Sequence, residues 1–480
     1  MNNQTPSCRL GGCSRRTFLG TCGAAAAGIG ALSMLPGAAG VLSAAESKPA
    51  DKCRIRLIFA FPDPSKPIWP NIGYDFDGHN KEILEKFTRC CPGVEFLPVT
   101  IGSGSKEAAE QLIAGDGNDI DGYVLYMSGC LWGVTPETIA AAGKPVVIMD
   151  NLYAGSGKFL TGYAAAKRAG HKIVPVSSSN FLDAIDAVEC IRAIAALKRS
   201  KALVVGSDPS EEAIRAYGTE IAAVSFEQVN EFYRKVDRKD ARAVADRWIA
   251  TAEKVIEPAR ETVVDSAAMY LAMDRLLSAN NAEAITVNCL GGIYSGRMVE
   301  AYPCLGFMEL DDCGRVGACE ADQRSTVTKL LMKHLAGVPG FISDPVIDTA
   351  ANRIIYAHCV APTKVWGPDG PANPFHLRDH SEDRKGACNR SLMPLGETVT
   401  TIMFDHGKKK VIMHQGTTVE NVDDDKACRT KLAAEVKGDV FKLLEQWDEW
   451  GWHRVTFYGD HRRQVINTAA LLGFGVVEEA

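Results

Sequence analysis

The chain has 480 residues, of which 46% are hydrophobic and 23% are charged, the balance of an ordinary globular protein. A formal net charge of −6 offers no large basic face for nucleic acid. The sequence has one weakly apolar stretch, at the N-terminus, whereas a protein with many membrane spans needs several long apolar stretches.

The N-terminal segment has the pattern of a twin-arginine export signal. Adjacent Arg15 and Arg16 precede a mildly apolar run, rich in Ala and Gly, that ends near Gly40. Small residues before Glu46 favour cleavage, so residues 1–45 are predicted to be a signal peptide. The alternative is an uncleaved membrane anchor. The sequence therefore predicts an exported, periplasmic protein with no stable membrane span after cleavage, whose other cysteines are mostly buried thiols.

Residues 46–185 are predicted to form a doubly wound α/β domain. Short apolar strands alternate there with helices, which is typical of a parallel sheet covered on both faces. The predicted strands are 55–61, 122–126 and 145–150, and the predicted helices are 79–89, 107–114 and 136–142.

Residues 186–350 are predicted to form a second α/β domain of the same kind. It begins with a helix, contains one long helical region, and ends with a helix followed by a short strand. These elements are the helix 184–197, the strand 202–206, the helical region 240–279, the strand 284–288, the helix 325–336 and the strand 341–343.

Residues 351–480 are predicted to form a β-rich, barrel-like C-terminal domain. Antiparallel strands with a tight turn precede a mixed helical and strand segment. The predicted strands are 352–360, 398–404, 411–414 and 455–458, and the predicted helices are 431–447 and 462–472. The predicted fold class is therefore α/β, with two doubly wound α/β domains followed by a β-rich domain.

Two acidic residues in the second domain lie where ligands bind in such folds. Glu320 precedes a helix, and Asp344 follows the apolar strand 341–343. Ligands of open α/β sheets bind at the carboxyl ends of the strands. The alternative is local, because Glu320 could cap the helix and Asp344 could cap a turn before Pro345. The pattern alone leaves both interpretations open.

Three separated sequence elements occur in an order that is typical of one protein family. An acidic residue begins a helix that ends in a Leu-x-Gly stretch, an Asp follows 24 residues after the first acid, and a His near the C-terminus precedes an apolar strand and a Gly. In these elements the chain resembles the L-fucose/L-arabinose isomerase family. The resemblance covers residues 284–397 and 447–478. The residues concerned are Glu320, Leu335, Gly337, Pro339, Asp344, the run Trp450-Gly451-Trp452-His453, and Gly459.

The resemblance implies a divalent-metal site. Glu320, Asp344 and His453 match the family's metal ligands, usually for manganese, although another divalent cation also suits two carboxylates and an imidazole. Glu320 and Asp344 also match its acid/base pair. His358 is a fourth candidate, as a metal ligand or a substrate contact, or else a histidine hydrogen-bonded within a strand. His380 is a candidate substrate contact.

The same resemblance implies a function. It predicts reversible aldose–ketose isomerisation of a free monosaccharide through an enediol, by a homo-oligomer, typically a hexamer. The site is expected between the second and third domains, with Glu320 and Asp344 on one side and His453 on the other. Two rival hypotheses are an exported sugar-binding protein without turnover, and an epimerase or lyase on the same scaffold.

Overall fold

The computed structural model describes residues 52–102, 105–131, 136–299 and 301–480. The predicted signal peptide, 1–45, lies outside the described residues. The chain forms two compact units, the first ending at Arg192 and the second comprising Ala193–Ala480. The domain limits near residues 185 and 350 stay predictions. In the described part of the chain, no helix is both long and apolar enough to cross a membrane.

The first unit is a parallel α/β fold. In chain order, its elements are β1 (Cys53–Phe61), α1 (Phe76–Cys90), β2 (Val94–Gly102), α2 (Lys106–Asp116), β3 (Gly122–Met127), α3 (Pro136–Ala140), β4 (Val146–Asp150), α4 (Ser156–Arg168), β5 (Ile173–Val176) and α5 (Leu182–Arg199), whose last residues belong to the second unit. The sheet order is β2-β1-β3-β4-β5, and every pairing is parallel. All six residues of β3 are buried, which accounts for its unbroken apolar and aromatic sequence.

The second unit begins with another parallel α/β layer. Its elements are β6 (Lys201–Val205), α6 (Glu211–Tyr217), β7 (Glu220–Val224), α7 (Phe226–Arg234), α8 (Arg238–Thr251), β8 (Lys254–Val255), α9 (Arg260–Ala279), β9 (Ala284–Val287), α10 (Cys289–Tyr294), α11 (Cys304–Asp312), β10 (Val316–Cys319) and α12 (Gln323–Ala336). The sheet order is β10-β9-β6-β7, all parallel. Met269 and Met273 of α9 join the buried core beneath this sheet.

The rest of the second unit is built on an antiparallel β-barrel. Its elements are β11 (Phe341–Asp348), β12 (Arg353–His358), β13 (Phe375–Arg378), β14 (Cys388–Ser391), β15 (Thr398–Asp405), β16 (Lys410–Asn421), β17 (Thr430–Val436), α13 (Val440–Gln446), a short 3-10 helix (Trp447–Trp450), β18 (Arg454–Tyr458), α14 (Arg462–Leu472) and β19 (Gly475–Glu478). The ring β15-β18-β11-β12-β17-β16 closes through the pairing of β15 with β16. Each ring pairing is antiparallel, and β19 adds to β16 in parallel. The predicted fold class is confirmed.

Three predicted elements differ from the structure. The helical region 240–279 is two helices, α8 and α9, because Pro258 lies between them and cannot continue a helix. The predicted helix 431–447 is instead the barrel strand β17 followed by α13. The strand at 341–343 is the start of β11, and it pairs with β18 in the barrel instead of extending the parallel sheet.

The described cysteines are thiols, and most of them are buried. This agrees with the prediction from their scattered spacing. Burial raises the pKa of the Cys289 thiol to about 11, so this thiol is neutral and a weak nucleophile at ordinary pH. These cysteines serve mainly as small apolar side chains of the core.

Candidate metal centre

Glu320 stands at the carboxyl end of β10, in a tight backbone turn. Both Glu320 and Ala321 have left-handed backbone conformations, with φ of 62° and 54°. Such conformations are unfavourable for residues other than glycine and recur at functional sites. The helix that follows is capped by Asp322, which accepts a 3.0 Å hydrogen bond from the backbone of Ser325. The cap is thus accounted for without Glu320, whose side chain is 43% exposed.

His453 lies immediately before β18, and its two ring nitrogens have different surroundings. Its Nδ1 is 2.9 Å from Asp322 Oδ2. Its buried Nε2 has no hydrogen-bond partner among the described residues. That nitrogen lies 3.3 Å from Asp344 Oδ1 and 3.6 Å from Glu320 Oε2. A histidine that is fixed through one nitrogen by a carboxylate, with the other nitrogen facing acidic oxygens, is the usual arrangement of a metal ligand.

Asp344 and His358 come from neighbouring barrel strands. Asp344 is on β11 and pairs with Ala357 of β12, so His358 is one residue further along that strand. The His358 Nε2 is 3.7 Å from Glu320 Oε1. The indole of Trp452 donates a hydrogen bond to Asp344 Oδ1. His358 thus contacts Glu320 at the end of β10, and Asp344 reaches the same group through His453.

Three side chains form the most compact group of possible ligands. One ligand atom from each of Glu320, His358 and His453 lies within 4.8 Å of the other two. One carboxylate oxygen and two imidazole nitrogens suit a divalent transition ion and leave positions open for other oxygens. Asp344 adjoins this triad through its contact with His453 and is not one of the three.

The predicted two-sided arrangement needs correction. Asp344 was expected on the same side as Glu320, opposite His453. In the structure, Asp344 and His358 are on the adjacent barrel strands β11 and β12, His453 directly precedes the neighbouring strand β18, and Glu320 alone follows a strand of the parallel sheet. The reason is that β11 extends to Asp348 and is a strand of the barrel. The short apolar run 341–343 does not indicate this length.

His380 lies near the triad without joining it. It is buried, its ring packs against Tyr302 at 5.4 Å, and its Nδ1 is 3.4 Å from Asp383 Oδ1. It also interacts with the thiol of Cys359, the chain neighbour of His358. His380 therefore contacts Cys359, the neighbour of a candidate ligand, and is not one of the three ligands itself. Its contact with substrate stays a prediction.

The charges of the centre are strongly coupled. Burial disfavours the charged form of His453, but the hydrogen bond to Asp322 and the carboxylates of Asp344 and Glu320 raise its pKa to about 10. Burial also disfavours ionised Asp322, yet His453, together with hydrogen bonds from Ser325, lowers the pKa of that carboxyl to about 2. The pKa of Asp344 lies below its usual range, since its contact with His453 outweighs burial. Without a cation, a protonated imidazole balances the carboxylates.

Asp322 is the residue of this centre whose role the sequence did not reveal. Its position before α12 indicates a helix cap, and it does cap that helix. Its second contact, to His453, joins residues 131 positions apart in the chain. No local pattern predicts such a contact.

Comparison with known proteins finds similarity to a curated sugar isomerase, whereas no family model matches. The relative is the sulfoquinovose isomerase of Clostridium sp. (strain MSTE9), 23% identical over 278 residues. The match covers 54% of this chain and 58% of the relative, so the chain spans little more than half the relative's length. Over that part, the chain is similar to a sugar isomerase.

Solved structures also show similarity to this chain. One of them is a periplasmic solute-binding protein of an ABC transporter from Actinobacillus succinogenes 130z with bound D-allose, at 14% identity. The match covers 52% of this chain and 84% of that protein, with a TM-score of 0.18. A TM-score this low does not establish a common fold.

Proposed function

We propose that the protein is a metal-dependent aldose–ketose isomerase that acts on a free monosaccharide. The principal observation is the triad of Glu320, His358 and His453, with the Nδ1 of His453 fixed by Asp322. The similarity to a sulfoquinovose isomerase supports the same reaction class. Sulfoquinovose itself is the first sugar to test, because it is the substrate named for that relative.

The donor set fits a divalent cation, and we propose Mn2+. Glu320, His358 and His453 would hold the ion, and Asp344 would lie beside it. The observation that favours an ion at this point is the buried Nε2 of His453, which forms no well-aligned hydrogen bond with the described residues and faces oxygens of Asp344 and Glu320 at 3.3 and 3.6 Å. A bound divalent ion would act as a Lewis acid on sugar oxygens.

The two carboxylates would perform the proton transfers. Asp344 has a pKa below its usual range and is therefore ionised at neutral pH, as a proton acceptor must be. One carboxylate removes the proton from C2 of the aldose while O1 gains a proton, which gives the enediol. Return of a proton to C1, with loss of the O2 proton, gives the ketose. Glu320 and Asp344 are the residues proposed for these two transfers.

Isotope exchange tests this proposal most simply. The Mn-loaded protein is incubated in deuterium oxide with sulfoquinovose, L-fucose, L-arabinose and common hexoses, and followed by NMR. Deuterium at C1 or C2, together with a ketose product, is expected for at least one sugar. An epimeric aldose as the product would replace the isomerase assignment with an epimerase. Absence of exchange with every sugar would refute the proposal.

Glu320→Gln is the most informative variant for this assay. It keeps the size of the side chain but removes its charge and its basicity, so exchange should fall at least a hundredfold. The matched control is Glu435→Gln, an exposed carboxylate on barrel strand β17. The control should retain full activity, and equal loss in both variants would exclude a specific role for Glu320.

Export and assembly belong to the same proposal. We propose that the twin-arginine segment directs the protein to the periplasm and that the enzyme is a homohexamer, as the family resemblance implies. Replacement of Arg15 and Arg16 by lysine should retain the protein in the cytoplasmic fraction of a bacterial host. Light scattering of the purified mature protein should give six times the chain mass. Periplasmic recovery of the double variant, or a monomeric mass, would contradict these two assignments.

A further inference from the structure

Trp452 is unusually exposed for so large a side chain. It is 70% exposed, more than any other large hydrophobic side chain among the described residues of the second unit. It directly precedes His453 in the chain, and its indole reaches Asp344. A large aromatic face is thus open to solvent at the edge of the candidate metal centre, beside the carboxylate of Asp344.

The exposed indole is also held in place. Its Nε1–H donates to Asp344 Oδ1, and the backbone carbonyl of Trp452 accepts a 2.8 Å hydrogen bond from Trp447 Nε1. The guanidinium of Arg454 lies 4.2 Å from the Trp447 ring. Two independent hydrogen bonds therefore fix the side chain and the backbone of a residue that has little packing of its own.

Arg454 fixes the backbone on either side of Trp452. Its Nη1 donates to the carbonyls of Gly451 and His453, at 3.1 and 3.0 Å. Arg454 is fully buried and forms a 2.7 Å ion pair with Glu479 inside the barrel. An aromatic face that is fixed before a ligand arrives loses little conformational entropy on binding, which favours affinity.

The position and chemistry of this face indicate its ligand. Monosaccharides present both hydroxyl groups and C–H faces, and an indole offers a broad apolar surface with its polar N–H already engaged. We propose that Trp452 is a substrate platform, whose indole stacks against the C–H face of the monosaccharide while O1 and O2 of the sugar face Glu320, His358 and His453. This inference rests on the proposed isomerase function and adds the residue that selects the sugar by shape.

Two substitutions separate the aromatic face from the hydrogen bond. Trp452→Phe keeps an aromatic ring but removes the N–H donor to Asp344, and Trp452→Leu removes both the donor and the aromatic face. The KM of the best substrate should rise about tenfold or more in Trp452→Leu and only a few-fold in Trp452→Phe. Both variants lack the donor to Asp344, so kcat and manganese content should be the same in Trp452→Leu as in Trp452→Phe, and only the KM should separate the two. Phe441→Leu, at a residue 51% exposed on α13, is the matched control and should keep the wild-type KM.

Several outcomes overturn the inference. An unchanged KM in Trp452→Leu would show that the ring does not contact substrate. Loss of manganese in step with activity would assign Trp452 to metal retention through Asp344. A smaller particle mass would assign the exposed ring to contact between copies of the chain.

Failure of the proposed isomerase function is distinguished by a binding measurement. If the wild-type protein exchanges no sugar, titration calorimetry with the same sugars and Mn2+ replaces the kinetic assay. Absence of sugar binding by wild-type protein would overturn both proposals. Binding with equal affinity in wild type and Trp452→Leu would overturn the platform alone. Weaker binding in Trp452→Leu would support the platform without turnover.

Discussion

The hydrogen bond between Asp322 and His453 is expected to contribute measurably to stability. Asp322→Asn removes the charge of this pair but keeps the cap of α12, because Asn and Asp are equally good at that position. The pKa of Asp322 falls from 3.8 to about 2, and each pKa unit corresponds to 1.36 kcal/mol. The metal-free variant is therefore expected to lose about 2 kcal/mol of unfolding free energy.

The loss should depend on pH in a defined way. The contribution of Asp322 is fully present above its unfolded-state pKa of 3.8 and is lost as the pH falls through about 2. The contribution of His453 is fully present below 6.5 and is lost as the pH rises through about 10. The difference between wild type and variant is thus greatest from about pH 4 to pH 6.5 and narrows on both sides.

Chemical denaturation followed by tryptophan fluorescence can measure this difference. Five of the seven tryptophans belong to the second unit, so the signal mainly reports that unit. The experiment is performed with chelator present. Asp237→Asn is the control, since Asp237 caps α8 and has no histidine partner among the described residues. A difference that is absent between pH 4 and pH 6.5, or that fails to narrow below and above that range, would refute the coupling of Asp322 with His453.

Three other predictions concern the second unit. Lys329→Met leaves the charge of the buried Asp311 without its ion pair and should lower the unfolding free energy by about 3–5 kcal/mol. Part of this stability should return when Asp311 is also replaced by Leu. A double variant as unstable as Lys329→Met alone would contradict the pairing. Glu479→Gln removes the charge that pairs with Arg454, whose guanidinium donates a hydrogen bond to the backbone carbonyl of His453. The variant should therefore lose manganese more readily in dialysis. Unchanged retention of manganese would show that Arg454 does not support His453 in this way. Manganese binding near neutral pH should release close to one proton in calorimetry across buffers, because the pKa of His453 is about 10 in the metal-free protein; no release would show that this imidazole is already neutral.

Much of the fold could be predicted from the sequence because its strands are short, apolar and separated by helices. β3 is buried along its whole length, and its sequence has no polar residue to obscure the pattern. β17 shows the limit of this approach. Its residues Leu432, Ala433 and Ala434 favour helix, but they are fully or almost fully buried in the barrel, and tertiary packing overrides so weak a local preference.

The candidate site could be predicted only in part. Glu320, Asp344 and His453 are named by a motif, and the structure brings them together. The left-handed backbone at Glu320 and Ala321 leaves no sign in the sequence, because neither residue is a glycine. The contact of Asp322 with His453 likewise depends on how the barrel meets the parallel sheet within the second unit.

The most direct test of the account is the anomalous scattering of crystals grown with Mn2+. The account predicts one strong peak within bonding distance of a Glu320 oxygen, the His453 Nε2 and the His358 ring, with Asp322 still bonded to the Nδ1 of His453. A peak at another place, or no peak while the protein catalyses isomerisation, would contradict the proposed metal centre.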